Sequence, residues 1–151
     1  GIVALLDHPD QLRALRDDPS ILPGAIEELV RWTAPVPHAT FRMTTQPLVL
    51  DGVEIPAHRQ VLVSLGAANR DPLAIDEPDR LDLRRTGRSH IGFGHGIHFC
   101  LGANLARMEG RVVLEEMLKR FPEWDVDLGR ANLAPTSTVR GWETLPMIVG
   151  S

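Results

Sequence analysis

The chain has one cysteine, no apolar run long enough to cross a bilayer and no excess of positive charge. A single cysteine excludes an internal disulfide, which suits a reducing, cytoplasmic compartment. No stretch approaches the ~20 apolar residues that a membrane-spanning helix needs, so no membrane association is expected. A net charge of −4 gives no reason to expect a nucleic-acid partner. The 43% of hydrophobic and 24% of charged residues are ordinary for a globular protein.

Helical periodicity appears early and late in the chain. The spacing of Leu12 and Leu15 predicts a helix over 10–16 behind Pro9. A second helix is expected from Ser20, as its cap, to Ala34, with Leu22, Ile26 and Leu29 on one face. A long helix is expected over 101–120, with one apolar stripe of Leu101, Leu105, Met108 and Val112.

Strand signals fill the middle and the end. Leu48–Ile55 predicts a hairpin, because Asp51-Gly52 tolerates the positive φ angles of a tight turn. Residues 60–65 predict a further strand, residues 69–90 an irregular loop, and residues 136–149 short strands around Gly141. No repeat or linker divides the chain, so one mixed α+β unit, or part of one, is expected.

The cysteine lies in a glycine-rich stretch over residues 92–102, called the cysteine loop below. Gly92, Gly94, Gly96 and Gly102 surround Cys100, and glycine lets a backbone turn tightly or approach a flat ligand. Cys100 precedes the predicted long helix, where unpaired N–H groups and the helix dipole favour a thiolate. From these residues alone, Cys100 is either an iron-ligating thiolate or a buried free cysteine.

Zinc is a rival interpretation, because His95, His98 and Cys100 lie close together with His90 nearby. Structural zinc sites usually combine ligands from two separated clusters, and the sequence has no second cluster of cysteine and histidine. A small zinc-binding module is therefore the weakest of the alternatives.

The spacing Phe93-x-x-Gly96-x-x-x-Cys100-x-Gly102 resembles the haem-binding signature of cytochromes P450, and residues 103–109 resemble the helix that follows it. The resemblance implies that Cys100 is the axial ligand of the iron of haem b. It also implies that Phe93 packs on the cysteine side of the haem, with Gly94 and Gly102 as further contacts.

A second motif, Glu28-x-x-Arg31, lies on the second predicted helix. Residues three apart share a helix face, so an exposed ion pair of small energetic value is one interpretation. The resemblance implies instead a buried structural pair whose third member is Arg80, in the stretch Pro78-Asp79-Arg80-Leu81. Leucine stands there where the family usually has phenylalanine.

The resemblance also implies contacts to the haem propionates and to a substrate. Arg42 and His98 stand where the family places propionate-binding residues, and a guanidinium suits a carboxylate because it binds it through two hydrogen bonds. The pocket candidates are Val36, Pro37, Ala39, Thr40 and Thr138.

Five arginines flank the cysteine loop in sequence: Arg84, Arg85, Arg88, Arg107 and Arg111. They are either a solvated face or a basic surface for a ferredoxin-like or flavoprotein electron donor.

The resemblance covers essentially the whole chain. Members of the family are more than twice as long, and this chain starts at Gly1 inside an apolar run. We therefore expect residues 1–151 to be the C-terminal haem-binding segment of a single P450 domain. This segment is mainly α with small β-sheets and lacks the N-terminal half and the long distal helix.

The implied function is a haem-thiolate monooxygenase that acts on a small organic substrate with molecular oxygen and electrons from NAD(P)H. No residue of this chain is assigned a catalytic role. A truncated, non-catalytic haem-binding remnant remains the alternative.

Overall fold

The computed structural model describes residues 1–87 and 90–150. The helices are α1 (Ile2–Asp7), α2 (Pro9–Asp17), α3 (Leu22–Thr33), α4 (Leu65–Ala68) and α5 (Ala103–Arg120), with short 3-10 turns at Pro19–Ile21 and Gly96–His98. The strands are β1 (Arg42–Met43), β2 (Leu48–Leu50), β3 (Val53–Ile55), β4 (Gln60–Val61), β5 (Trp124–Val126), β6 (Asn132–Leu133), β7 (Trp142–Thr144) and β8 (Met147–Val149). They form small antiparallel pairs, β1–β4, β2–β3, β5–β8 and β6–β7. The predicted class, helices with small sheets, is confirmed.

The hydrophobic core forms where α2 and α3 meet the end of α5. Leu12 and Leu15 of α2 are buried, as are Leu22, Ile26 and Leu29 of α3. The apolar faces predicted for these two helices are therefore confirmed, and hydrophobic burial drives their association.

The start of α3 differs from the prediction. The Asp18 carboxylate accepts hydrogen bonds from the Ser20 amide and hydroxyl, and a 3-10 turn over Pro19–Ile21 leads into the helix. Ser20 therefore does not cap α3, because it lies inside this turn and the N-cap position of α3 is Ile21, which provides no side-chain cap. The end of α3 is as predicted, with Ala34 in the left-handed conformation at φ 42° before Pro35.

The predicted hairpin is present, with Leu48 opposite Ile55 and positive φ at Asp51 and Gly52. The strand predicted over 60–65 stops after Val61. Ser64 forms an isolated bridge with His38, and its hydroxyl accepts the Ala67 amide at 3.3 Å and so caps α4.

Helix α5 turns a different face to the core from the one predicted. Its buried residues are Ala103, Leu114 and Met117. A methyl group added at Gly110 would lie 3.2 Å from Ile26 Cδ1, so α3 and α5 approach closely there. The predicted stripe is exposed: Leu101, Leu105, Met108 and Val112. Both stripes have helical spacing, and the position of α3 decides which one is covered.

Candidate functional site

The cysteine loop joins the irregular segment before it to the first turn of α5. Within it the Gly94 amide donates to the Ile91 carbonyl over 2.8 Å, and the Cys100 amide donates to the Phe93 carbonyl over 2.8 Å. Gly94 and Gly96 have φ of 75° and 70°, which side-chain-bearing residues rarely adopt. The loop is therefore a tight, backbone-bonded turn that returns Cys100 to Phe93.

Cys100 lies just before α5 and is exposed. Gly102 is the N-cap of the helix and provides no side-chain cap, while the Ala103 amide donates to the Cys100 carbonyl over 3.2 Å. The cysteine therefore directly precedes the first turn of an 18-residue helix.

Apolar side chains close to Cys100 in sequence are also exposed. Ile97 and Leu101 are 98% and 103% exposed, and half of Phe99 is accessible. A methyl group added at Gly96 or Gly102 would meet no atom within 4 Å. The loop is therefore open and exposes apolar side chains. Such side chains suit a flat hydrophobic cofactor.

The Phe93 side chain packs against other aromatic rings of this region. It is half-buried, and its ring centroid lies 5.7 Å from that of His90 and 6.4 Å from that of Phe99. The Arg107 guanidinium lies 4.6 Å from the Phe93 centroid, a cation–π distance.

Sequence reasoning missed a polar group behind Phe93 that consists of Glu27, His90 and Arg107. Arg107 donates to both carboxylate oxygens of Glu27, from Nε over 2.6 Å and from Nη2 over 2.9 Å. These hydrogen bonds outweigh partial burial and hold the pKa of Glu27 below its ordinary value. Eighty residues separate Glu27 from Arg107 in sequence, so no local pattern could have indicated the pair.

Arg31 uses all five N–H groups of its guanidinium. Nε and Nη2 donate to the two carboxylate oxygens of Glu28 over 2.7 and 2.8 Å. The other bonds go to the carbonyls of Asn69, Pro78 and Arg80 over 2.9, 2.8 and 3.1 Å. Both side chains of the pair are buried. Because lysine has only three donors, an arginine is needed to join these loop carbonyls to α3.

The third member of this network, beside Glu28 and Arg31, is Arg85, which corrects the prediction of Arg80. Arg85 Nε donates to Glu28 Oε1 over 3.1 Å. Arg80 contributes only its carbonyl, and its side chain pairs with Glu77 at the surface over 2.9 Å. The chain turns here, with the Arg80 amide bonded to the Glu77 carbonyl, so the carbonyl faces Arg31 and the side chain points outward.

Glu28 is the ionised centre of this network. Burial alone would raise the pKa of its carboxyl, but hydrogen bonds from Arg31, the Asp82 amide and Arg85 outweigh burial and lower the pKa. Asn69 connects the network to the cysteine loop, because its Oδ1 accepts the Ile91 amide over 2.9 Å. The network therefore holds the backbone directly before the cysteine loop.

Arg42 lies at the start of β1 and is exposed. Its Nη1 donates to the Thr40 carbonyl over 2.8 Å and contacts the Thr40 hydroxyl, and no carboxylate of the described residues pairs with it. His98 is exposed in the 3-10 turn of the cysteine loop. Both side chains are accessible to an anion, and no hydrogen bond within residues 1–87 and 90–150 joins the two segments.

The two segments that hold the candidates for substrate contact meet in the structure. The Arg140 amide donates to the Pro35 carbonyl over 2.7 Å, and Pro37 and Val139 line a cavity of about 140 Å³. Of the other pocket candidates, Ala39 is half-buried and three are exposed: Val36, Thr40 and Thr138.

The arginines around the cysteine loop are largely paired. Three have carboxylate partners: Arg84 with Asp18, Arg85 with Glu28 and Arg107 with Glu27. Arg111 is exposed on α5, and Arg88 lies outside the described residues. The net positive charge of this surface is therefore smaller than the sequence suggests.

In the described part of the chain, no three His, Cys, Asp or Glu side chains come together as a metal site. The zinc interpretation therefore gains no support. No helix among the same residues is long and apolar enough to span a membrane.

Comparisons with known proteins agree on one family. The sequence model of the family described as Cytochrome P450 matches residues 14–139. Cytochrome P450 monooxygenase PikC of Streptomyces venezuelae is 46% identical over an alignment of 149 residues that covers 97% of this chain and 36% of that protein. The Vitamin D(3) 25-hydroxylase of Pseudonocardia autotrophica is 44% identical over an alignment of 152 positions that covers 99% of this chain and 38% of that protein.

A solved structure gives the same result for the fold. The hydroxylase HmtN, involved in himastatin biosynthesis, superposes with a TM-score of 0.91 at 41% identity, over 99% of this chain and 40% of that one. The chain thus spans little more than a third of the length of the curated relatives it matches. Since the family model matches most of the chain and the loop around Cys100 has the backbone described above, this chain belongs to the cytochrome P450 family.

Proposed function

We propose that residues 1–151 form the C-terminal haem-binding segment of a haem-thiolate monooxygenase. The observation that carries this proposal is Cys100, an exposed thiol at the positive end of α5 in an open, apolar glycine loop. Membership of the cytochrome P450 family supports the same assignment.

The residues present fit haem b. An exposed thiol offers a ligand for iron, apolar side chains offer a surface for the macrocycle, and Arg42 and His98 offer hydrogen-bond donors for the propionates. Phe93, Gly94 and Gly102 would contact the cofactor from the loop itself. When bound, the haem supplies the oxygen chemistry, and a thiolate ligand favours cleavage of the O–O bond.

This chain's own residues then bind and orient the cofactor. The Phe93 carbonyl accepts the Cys100 amide and so holds the backbone of the proposed ligand. Glu28, Arg31 and Arg85 fix the segments that support the loop. We assign no catalytic residue to this chain, and Val36, Pro37, Ala39, Thr40 and Thr138 remain the candidates for substrate contact.

The partners follow from this proposal. The substrate is a small organic molecule, and Vitamin D3 is a reasonable first trial because one relative is named for its hydroxylation. Electrons come from NAD(P)H through a ferredoxin-like or flavoprotein donor. Arg111 is an exposed arginine on this surface, and we expect the protein in the cytoplasm.

The 151-residue chain taken by itself has a second candidate function, a non-catalytic haem-binding remnant. The fully exposed Ile97 and Leu101 favour it, because apolar surface of this kind normally has a partner or promotes association.

The experiment is an absorbance spectrum of the haem-loaded protein, reduced and exposed to carbon monoxide. We expect a strongly red-shifted Soret band in a full-length protein that carries this chain, because a thiolate ligand donates electron density to the iron. A band typical of histidine-ligated haem would contradict the proposal. The same spectrum of residues 1–151 alone distinguishes the two candidates, since the remnant is expected to give little or none of the red-shifted band.

Replacing Arg42 or His98 by alanine is expected to speed haem loss by about tenfold or more, because a charge-assisted hydrogen bond contributes about 1.5–3 kcal/mol. The rate of haem transfer to apomyoglobin measures this. Arg59→Ala is the matched control, since Arg59 is an exposed arginine just before β4, the partner of β1. Equal rates for Arg42→Ala and Arg59→Ala would remove Arg42 from the propionate site.

A further inference from the structure

His90 holds the backbone just before Phe93. Its Nδ1 accepts the Gly92 amide over 2.9 Å. The carbonyl of the following residue, Phe93, accepts the Cys100 amide over 2.8 Å. The histidine therefore anchors the loop one residue away from the hydrogen bond that sets the Cys100 backbone.

The histidine ring is almost fully buried and lies against Glu27. Its side chain is 5% exposed, and Nε2 lies 3.1 Å from Glu27 Oε2. A methyl group added at Gly92 would lie 2.9 Å from His90 Nδ1 and 2.9 Å from Val30 Cγ1. The ring is thus closely packed against the backbone that it holds.

These contacts specify one form of the ring. The Gly92 N–H can only donate, so Nδ1 must carry a lone pair. The Glu27 carboxylate can only accept, so Nε2 must carry the hydrogen. His90 is therefore neutral, with its proton on Nε2.

The charged groups around the ring act in opposite directions. Burial is the largest influence and lowers the pKa of His90, Glu27 and Glu28 on α3 raise it, and Arg107 on α5 lowers it again. The net effect is a pKa below the ordinary value of 6.5. Protonation would place an N–H of the ring against the Gly92 N–H and remove the hydrogen bond.

We propose that His90 is a positioning residue for the thiolate ligand, which in its neutral Nε2–H form holds the cysteine loop and on protonation releases it. This inference rests on the proposed function and describes how protonation would regulate the same site. It assigns a role to a histidine that lies ten residues before Cys100 and is not itself a ligand.

The pH dependence follows from the lowered pKa. Above 6.5 the ring is neutral in both the folded and the unfolded chain, and its contribution to stability is complete. As pH falls from 6.5 through the folded pKa, the unfolded chain takes up the proton first and this contribution is lost. The red-shifted reduced–CO band of the haem-loaded protein is therefore expected to weaken over that window.

Two substitutions separate the hydrogen bond from the ring. His90→Asn places an amide oxygen near the position of Nδ1, so it is expected to keep the band and to abolish its loss in that pH window. His90→Phe fills the space without an acceptor and is expected to lower the ratio of thiolate-ligated to other forms about tenfold at all pH values. His58→Asn, at an exposed histidine with φ 59°, is the control and is expected to behave as wild type.

Nuclear magnetic resonance of the haem-free full-length protein gives a readout independent of haem. We expect a scalar coupling across the hydrogen bond between the Gly92 nitrogen and His90 Nδ1, and an Nε2–H tautomer at neutral pH. A proton on Nδ1, or a His90→Phe variant with the wild-type pH profile, would overturn the inference. A wild-type protein with the expected coupling but no red-shifted band would instead contradict the proposed function.

Discussion

Cys100→Ser is expected to abolish the red-shifted reduced–CO band and to leave the free energy of unfolding of the haem-free protein nearly unchanged. A serine hydroxyl does not ionise near neutral pH, so it cannot replace a thiolate as an iron ligand. Cys100 is exposed, and substitutions at exposed positions usually change stability by about 0.5 kcal/mol or less. The loss therefore belongs to ligation and not to folding.

Two measurements check this result: the spectrum of the haem-loaded variant and urea unfolding of the haem-free variant. Cys100→His is the matched comparison, because it restores a metal ligand without a thiolate. It is expected to bind haem with a band typical of histidine ligation. Retention of the red-shifted band in Cys100→Ser would show that another residue is the ligand.

Arg31→Ala is expected to have the opposite signature, a large loss of stability from a residue outside the cysteine loop. Removal of the guanidinium leaves Glu28 buried at 4% exposure and leaves the carbonyls of Asn69 and Pro78 without their donor. The Arg80 carbonyl keeps only its hydrogen bond from Arg85. Breaking one side of a buried ion pair typically costs about 3–5 kcal/mol. That is a large part of the stability of an ordinary domain, so haem incorporation is expected to fail as well.

Chemical denaturation of three variants of the full-length protein compares how much each arginine of the network contributes to the free energy of unfolding. Arg31→Lys is expected to remain severely destabilised, because three donors cannot replace five. Arg85→Ala is expected to cost about 1–3 kcal/mol, since it removes one partner of Glu28. Arg80→Ala, the control, removes only an exposed pair with Glu77 and is expected to cost less than about 1 kcal/mol. An equal loss for Arg80→Ala and Arg85→Ala would contradict the arrangement of the network.

Features governed by neighbouring residues could be predicted from the sequence. The hairpin follows from Asp51-Gly52, whose positive φ angles close the turn locally. The end of α3 follows from Pro35, which disfavours helix in the residue before it. The position of Cys100 before α5 follows from the spacing of the glycine-rich motif, and the resemblance to cytochromes P450 rested on that spacing.

Features that depend on distant residues could not be predicted. Arg80 and Arg85 are both arginines of one irregular segment, and only the turn at residues 77–80 decides that Arg85 reaches Glu28. The buried face of α5 depends on where α3 crosses it, next to Gly110. Ser20 likewise matched a helix cap, but the Asp18 carboxylate binds its hydroxyl.

By itself, the sequence determined the secondary structure near its turns and the family to which the cysteine motif points, because both depend on residues close together in the chain. Only the tertiary structure decided that Glu27, His90 and Arg107 meet behind Phe93 and that Asn69 joins the Arg31 network to the loop. Those contacts join residues 22 to 80 positions apart. Packing of α3 against α5 and against the irregular segment brings them together, and no local pattern of residue types records that packing.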